Sequence, residues 1–396
     1  MAKNNKSKTA AEKSQPFFIG DKVRVRIERL AYHSGHGVAR HNGFVVFVPW
    51  TAPDDDVEVL IEKMHSSYAE ARLLRIITPS PHRREPLCPV AGRCGGCQWQ
   101  HVRYEEQLVQ KQQMLKSALR KLAHEGALPL KPLVPSPAEF RYRNRIQLHR
   151  HGFELGYYAA GSRQLVPIED CWLAEEALVQ QFAKAKSRNA DGPQERIEIA
   201  RLKSGQVELR QSAAEAEAAL FSQVNEAQNQ NLIQMVLEAA GSGPYTQILD
   251  LYCGSGNLTF PLAKAFPDAQ VTGVELSRIM VESARAESAL LPRQSALEWV
   301  AAPTSQFLEK YRPSSPNWLL VLDPPRPGCD TATRMAILRL RPRRIVYVSC
   351  NTSTLARDLE TWLKNGDYAL DCVQGLDMFP QTAHLESVVS LIAPDP

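Results

Sequence analysis

Residues capable of chemistry gather at three points in the second half of this sequence, each at the end of an apolar run. In IVYVSCNTSTLARDL, Cys350 closes a hydrophobic strand, and a helix is expected to begin near Thr352. A thiol there lies close to the unpaired N–H groups of a helix start, which favour the thiolate and should lower its pKa. Glu386, in AHLESVV, is the best candidate for the base that a covalent cycle needs after a nucleophile has added. Either residue alone reads as an inert buried cysteine or a strand-end glutamate. Both in one domain point to nucleophilic catalysis.

The other two points read as a small-molecule crevice. In DLYCGSGNLT, residues 250–259, a strand ends at Asp250 and Leu251, and a turn through Gly254 and Gly256 leads into a helix. Such a turn lets backbone approach a ligand at the carboxyl end of a strand, but the dinucleotide pattern G-x-G-x-x-G is absent. Glu275 ends the next strand, in VTGVELS, where a carboxylate reaches ribose hydroxyls. In LDPPRPGCD, Asp323 falls at the same sheet edge and Pro324-Pro325 stiffen the loop. Arg326 suits a phosphate contact or, equally, a solvated loop charge. Together these strings look like the adenosylmethionine site of class I methyltransferases.

The elements that must hold these residues are legible from periodicity. From about Thr246, apolar runs such as TQILDLY, NWLLVLD and RRIVYVSC alternate with helical stretches, as buried parallel strands do. DYALDCVQGLDMF and HLESVVSLIAP close the chain as two more strands. Residues 223–396 are therefore expected to form a doubly wound α/β domain with an antiparallel pair at its end. Residues 18–79 alternate in DKVRVRIERL, GFVVFVPW, DDVEVLIEKM and YAEARLLRII, which suggests a small barrel of oligonucleotide-binding type. On pattern alone, RNA binding and a purely stabilising role are equally open. Residues 80–222 read as a mostly β central domain, with one helix from Tyr104 to about His124. The chain is thus expected to be multidomain, α+β and α/β together.

Eight cysteines are placed unevenly. Cys88, Cys94 and Cys97 form C-x5-C-x2-C, and Cys171 in IEDCW can supply a fourth thiolate. In a chain of this length such bunching suggests metal binding or catalysis rather than a disulfide framework. Four thiolates suit a [4Fe–4S] cluster or a zinc ion, and the spacing does not separate them.

The net charge of +4 identifies no partner by itself, so charge clusters matter more. FRYRNRIQLHRH interleaves Arg141, Arg143, Arg145 and Arg150 with Phe140 and Tyr142, a pattern that binds phosphates and stacks a base, or else marks a solvated strand edge. Arg339, Arg341, Arg343 and Arg344 form a second basic cluster. The lysine-rich first residues, 1–17, read as a disordered tail and lack the apolar core of a secretory signal. With no run long enough to span a membrane, a cytoplasmic protein without a membrane partner is expected.

In combination the strings resemble the RNA uridine-C5 methyltransferases, the family of the tRNA and 23S rRNA 5-methyluridine enzymes. FSQVN, residues 221–225, is similar to that family's segment before the cofactor fold. The resemblance implies that Gln223, Tyr252, Asn257, Glu275 and Asp323 contact S-adenosylmethionine. It also implies that Cys350 is the nucleophile and Glu386 the base. Carbon 5 of uracil is too weak a nucleophile to take a methyl group until a thiolate adds at carbon 6. Because that attack is perpendicular to the ring, a flipped uridine is expected. The first sixty or so residues after the tail resemble the family's TRAM domain, which implies RNA binding. The cysteine spacing resembles that of the ribosomal-RNA members, which implies an iron–sulfur cluster and favours 23S rRNA over tRNA as substrate. No adenine contact is assigned in WVAAPTSQF, where the family carries an acid or amide and this stretch offers Thr304, Ser305 and Gln306. A cytosine-C5 enzyme would carry Pro-Cys where Asp-Pro-Pro-Arg stands, and a silent RNA-binding factor would not need Cys350 and Glu386. Nothing demands more than a monomer.

Overall fold

A computed structural model describes residues 17–32, 34–123, 128–187, 194–211, 223–290 and 296–394. The expected tail lies outside the described residues except for Phe17, which is buried in the first hydrophobic core. Phe221 and Ser222 of FSQVN also lie outside them. The chain divides into two compact units, Met1–Arg84 and Glu85–Pro396.

The first unit is a closed five-stranded barrel: β1 (Lys22–Leu30), β2 (Gly37–His41), β3 (Phe44–Val48), β4 (Asp56–Met64) and β5 (Tyr68–Thr78). Their order around it is β1-β2-β3-β5-β4. The alternation seen in sequence is the in–out alternation of the wall: Val23, Val25 and Ile27 point inward, while Arg24 and Arg26 point out and pair with Asp56 and Asp54.

Among the described residues, the second unit holds two sheets. One is antiparallel, β10-β9-β6-β7-β8, built from β6 (Arg145–His151), β7 (Glu154–Tyr158), β8 (Leu165–Pro167), β9 (Gln194–Arg201) and β10 (Val207–Gln211). The other has seven strands: β11 (Gln247–Leu251), β12 (Gln270–Glu275), β13 (Ala296–Ala301), β14 (Trp318–Leu322), β15 (Arg344–Ser349), β16 (Ala369–Leu376) and β17 (Glu386–Ile392). Its order is β13-β12-β11-β14-β15-β17-β16. The first five strands are parallel, and β17 pairs antiparallel with both β15 and β16. Every residue of β14 is buried, which explains its unbroken apolar run.

The boundary expected near residue 222 does not separate two packed bodies. Lys131 N and Val134 N donate to Val373 O and Gly375 O at 2.8 and 2.9 Å, so this earlier segment runs beside β16. The helix Tyr104–Leu119 buries Leu115 and Leu119 completely, and its Lys111 ion-pairs at 2.6 Å with Asp377, both side chains fully buried. The helix ends at Leu119, with a 3-10 turn over Arg120–Leu122, a few residues short of the expected end. No helix among the described residues is long and apolar enough to cross a membrane.

Candidate active site

Cys350 and Glu386 meet because of strand register. Ser349, the last residue of β15, lies opposite Ser387 on antiparallel β17. Continued one residue outward, this register sets Cys350 opposite Glu386 at the carboxyl edge of the parallel strands, and the Glu386 carboxylate acts on the Cys350 thiol. Ser387 Oγ also donates to Ser349 O at 3.3 Å, which ties the two strand ends together.

The loop that follows β14 closes over this pair. Asp323 N donates to Leu251 O at 3.3 Å, which holds the start of the loop on β11. The carbonyl of Arg326 accepts from Asn351 Nδ2 at 3.1 Å and from Thr354 Oγ1 at 3.2 Å, while Arg357 Nη2 donates to Pro327 O at 2.9 Å. The buried carboxylate of Asp358 accepts from Cys329 N and from Tyr347 OH, both at 2.8 Å. With its backbone clamped to the helix Thr352–Asn365, Arg326 leaves its side chain exposed, and its charge acts on both Cys350 and Glu386.

The electrostatics of Cys350 reverse the expectation drawn from sequence. Its thiol is pushed up to about 12, first by burial and then by the Glu386 and Asp323 carboxylates, with Arg326 opposing them. The helix start does not help because Asn351 is its cap: Asn351 Oδ1 accepts from Ser353 N and Thr354 N at 3.0 and 3.4 Å. The carboxyls shift the same way. Burial and Asp323 raise Glu386 well above the carboxylate range, Arg326 again opposing. Burial carries Asp323 up to about 7.

The glycine turn forms the other wall of the crevice. Tyr252 takes a left-handed φ of 62°, which strains a bulky residue and bends the chain sharply away from β11. At Gly256, φ is 95°, and a Cβ would sit 2.6 Å from the Phe260 ring and 2.7 Å from Trp299, so no other residue fits without repacking. Both Glu275 oxygens accept backbone amides, from Ser277 at 2.9 Å and from Gly254 at 3.2 Å, and each oxygen keeps a further lone pair. Two residues that sequence reading missed support this wall. Asn229 forms a reciprocal amide pair with Asn257, at 2.8 and 3.0 Å. Asp250 is fully buried against Thr259 Oγ1 at 2.6 Å, with Oδ1 lacking a partner, and burial lifts it to about 7. The backbone carbonyl of Gln223 accepts from Asn144 Nδ2 at 3.1 Å.

A profile described as tRNA (Uracil-5-)-methyltransferase matches residues 194–393, and a TRAM-domain profile matches residues 14–74. A protein described as an uncharacterized RNA methyltransferase of Bdellovibrio bacteriovorus is 39% identical, over 94% of this chain and 95% of its own length. The chain belongs to the tRNA (uracil-5-)-methyltransferase family. It is an RNA methyltransferase with a TRAM domain, as its sequence strings implied. An uncharacterized RNA methyltransferase of Thermosynechococcus vestitus is 33% identical, over 94% of this chain and 98% of its own. The crystal structure of Pyrococcus abyssi tRNA (uracil-54, C5)-methyltransferase with S-adenosyl-L-homocysteine superposes with a TM-score of 0.69 at 24% identity. It covers 93% of this chain and 100% of that one, and so shares the fold.

In this methyltransferase Cys88, Cys94, Cys97 and Cys171 line one pocket, although Cys171 is far away in sequence. Gly96 N donates to Cys94 Sγ at 3.4 Å, Gln100 Nε2 to Cys97 Sγ at 3.3 Å, and Tyr157 OH lies 3.7 Å from Cys171 Sγ. Four thiols with polar neighbours fit a tetrathiolate centre in their donor chemistry. Among the described residues no three ligating side chains are gathered closely enough to hold a single metal ion.

Of the residues expected to hold RNA, Arg141, Tyr142 and Arg143 are engaged within the chain. Arg141 is bound by Asp170 through both terminal nitrogens, at 2.6 and 2.7 Å. Tyr142 is buried and donates to Pro380 O at 3.1 Å, so it is no exposed stacking platform. Arg143 lines the cysteine pocket, its Nε buried without a partner. The alternation of Arg and aromatic residues falls on a bend that precedes β6, where Arg141 takes a left-handed φ of 55°. Arg145 is partly exposed at the start of β6, and Arg150 is buried. In the second cluster, Arg343 bonds Ala393 O at 2.8 Å, and Arg344 pairs with Asp371 at 2.5 Å. Both lie at the amino end of β15, the length of the strand away from Cys350.

Proposed function

We propose that this methyltransferase converts a flipped uridine in structured RNA, with 23S rRNA the first candidate, to 5-methyluridine. The observation that carries the reading is the register that sets Cys350 against Glu386 at the sheet edge. Bound S-adenosylmethionine would supply the methyl group on a cationic sulfonium. Tyr252, Gly254, Gly256, Asn257, Glu275, Asp323 and Gln223 are the residues that would hold it. The crevice fits a cation: Asp250, Asp323 and Glu386 are all held above the carboxylate range, and a positive charge among them relieves that penalty.

The chain's own chemistry follows from the pair. Cys350 first gives up its proton to solvent; its thiolate Sγ then bonds to carbon 6, and the carbon 5–carbon 6 electron pair moves toward carbon 5, which becomes the nucleophile. After carbon 5 has been methylated, Glu386 accepts its proton. The electron pair re-forms the double bond as the sulfur–carbon 6 bond breaks and Cys350 leaves as thiolate. Once ionised, Glu386 is a stronger base for this step than an exposed glutamate, because burial favours its taking up a proton. Arg326, facing both groups, suits the phosphate of the flipped nucleotide as well as the thiolate.

The cysteine pocket would hold an iron–sulfur cluster; zinc, the alternative occupant, would require the four thiols to draw closer together. Arg143 fits either as counter-charge, because a tetrathiolate centre is net anionic. Its distance in sequence from Cys350 assigns it an architectural role. The reading implies a cytoplasmic monomer with RNA as its partner.

The Pyrococcus relative acts, by its description, on tRNA, so the test carries both RNAs. Undermethylated 23S rRNA and tRNA are incubated with enzyme and cofactor, digested to nucleosides and analysed by mass. 5-Methyluridine in one RNA is expected. 5-Methylcytidine, or no new methylated nucleoside, would contradict the reading.

A further inference from the structure

The turn between β16 and β17, residues 377–385, delivers Glu386 and is unusual in being almost wholly buried. Loops normally lie on the surface because their backbone groups need water or other partners. Here four successive carbonyls each accept a hydrogen bond from a distant part of the chain. Asn225 Nδ2 donates to Met378 O at 3.3 Å and Lys111 Nζ to Phe379 O at 3.1 Å. Tyr142 OH donates to Pro380 O at 3.1 Å. The amides of Gln98 and Trp99 both donate to Gln381 O, at 3.1 and 3.0 Å.

Gln381 is the most constrained residue of the turn. It is fully buried, with a left-handed φ of 68°. Its N donates to Gln107 Oε1, and its Oε1 accepts from Gln107 Nε2, both at 2.9 Å. Gln107 Nε2 also reaches Trp99 O at 3.1 Å and Val102 O at 3.0 Å. One buried amide therefore binds the turn to the segment that follows Cys97.

We infer that this cradle positions the base: Asn225, Lys111, Tyr142, Gln107 and Gln381 fix where Glu386 stands relative to carbon 5. They are positioning residues, since each acts on Glu386 through the turn. Gln98 and Trp99 directly follow Cys97, so the same bonds connect the cysteine pocket to the base. The inference rests on the uridine-C5 reading and adds to it a division of labour. Nucleophilic addition depends on β15 and its helix, whereas proton removal depends on the cradle.

The two steps can be timed separately in single turnovers on RNA. Denaturing gels follow the Cys350–RNA adduct, and free product is followed alongside it. Tyr142→Phe removes one hydroxyl. Gln381→Gly suits the backbone conformation and keeps the backbone N–H bond to Gln107 Oε1, but loses the bond that Gln107 Nε2 donates to the side-chain oxygen. Circular dichroism verifies the fold of each, and Glu386→Gln serves as the reference for a stalled adduct. Both variants should form adduct at close to the wild-type rate and resolve it about ten- to a hundredfold more slowly, the scale of a small misplacement of a reacting group. Resolution at the wild-type rate in both folded variants would overturn the inference, as would equal loss of both steps. If Glu386→Gln itself accumulates no adduct, the uridine reading fails, and the inference with it.

Discussion

Ser349 and Ser387 stand opposite each other on antiparallel strands, and the hydroxyl of Ser387 donates to the carbonyl of Ser349 at 3.3 Å. That pairing is what gives the thiol and the carboxyl of the next rung a common position. Replacing Glu386 by Gln keeps its shape and removes the base. Turnover should fall by about 10²- to 10⁴-fold. Addition to uracil should persist, so an RNA–protein adduct should accumulate and survive denaturation. Full turnover by this variant would show that another group takes the proton.

Cys350 should behave as a thiol that is hard to ionise until a cation joins it. With its pKa pushed up to about 12, the thiolate fraction increases with pH well past the range of an ordinary cysteine. Alkylation of cofactor-free enzyme by iodoacetamide should therefore climb roughly tenfold per pH unit through about pH 10. Asp323→Asn removes one of the two carboxylates that raise it and should speed alkylation at fixed pH. A plateau below about pH 9 in the wild type would mean that the helix start, despite the Asn351 cap, does lower the pKa.

Asn229 and Asn257 hold each other by two hydrogen bonds at the crevice wall. Asn229→Ala leaves the proposed contact residue Asn257 without its partner. Two such bonds at about 1 kcal/mol each correspond to a roughly thirtyfold rise in cofactor KM, with kcat little changed. Isothermal titration with S-adenosylhomocysteine tests it. Unaltered affinity would remove Asn257 from the cofactor site.

Much of this was legible in the sequence, for physical reasons. Buried parallel strands are apolar along their length, so β11, β14 and β15 announced themselves, and the in–out alternation of β1 and β4 gave the barrel. Cys350, Glu386 and the glycine turn fell at strand ends, where the topology brings them together. What escaped was whatever depends on partners remote in sequence. Arg141, Tyr142 and Arg143 have the same pattern whether they face RNA or the interior, and the acceptor of Tyr142 lies 238 residues away. The reversal at Cys350 had a local signal: Asn351 followed by Thr-Ser-Thr is a helix cap that claims the amides first.

The cysteine pocket makes a compositional prediction. Protein purified without oxygen should contain about four irons and as many labile sulfides per chain, the content of a [4Fe–4S] cluster. Cys171→Ser should lose them together, although Cys171 is remote in sequence. One zinc per chain with no iron would assign the pocket to a structural zinc ion.

The central claim is tested most directly on RNA carrying tritium at uridine carbon 5. Wild-type enzyme and Cys350→Ala are incubated side by side with 23S rRNA or tRNA and S-adenosylmethionine. Release of tritium into water by the wild type, abolished in Cys350→Ala, is the predicted result. Methyl incorporation by the wild type without tritium release, or equal release by both proteins, would contradict it.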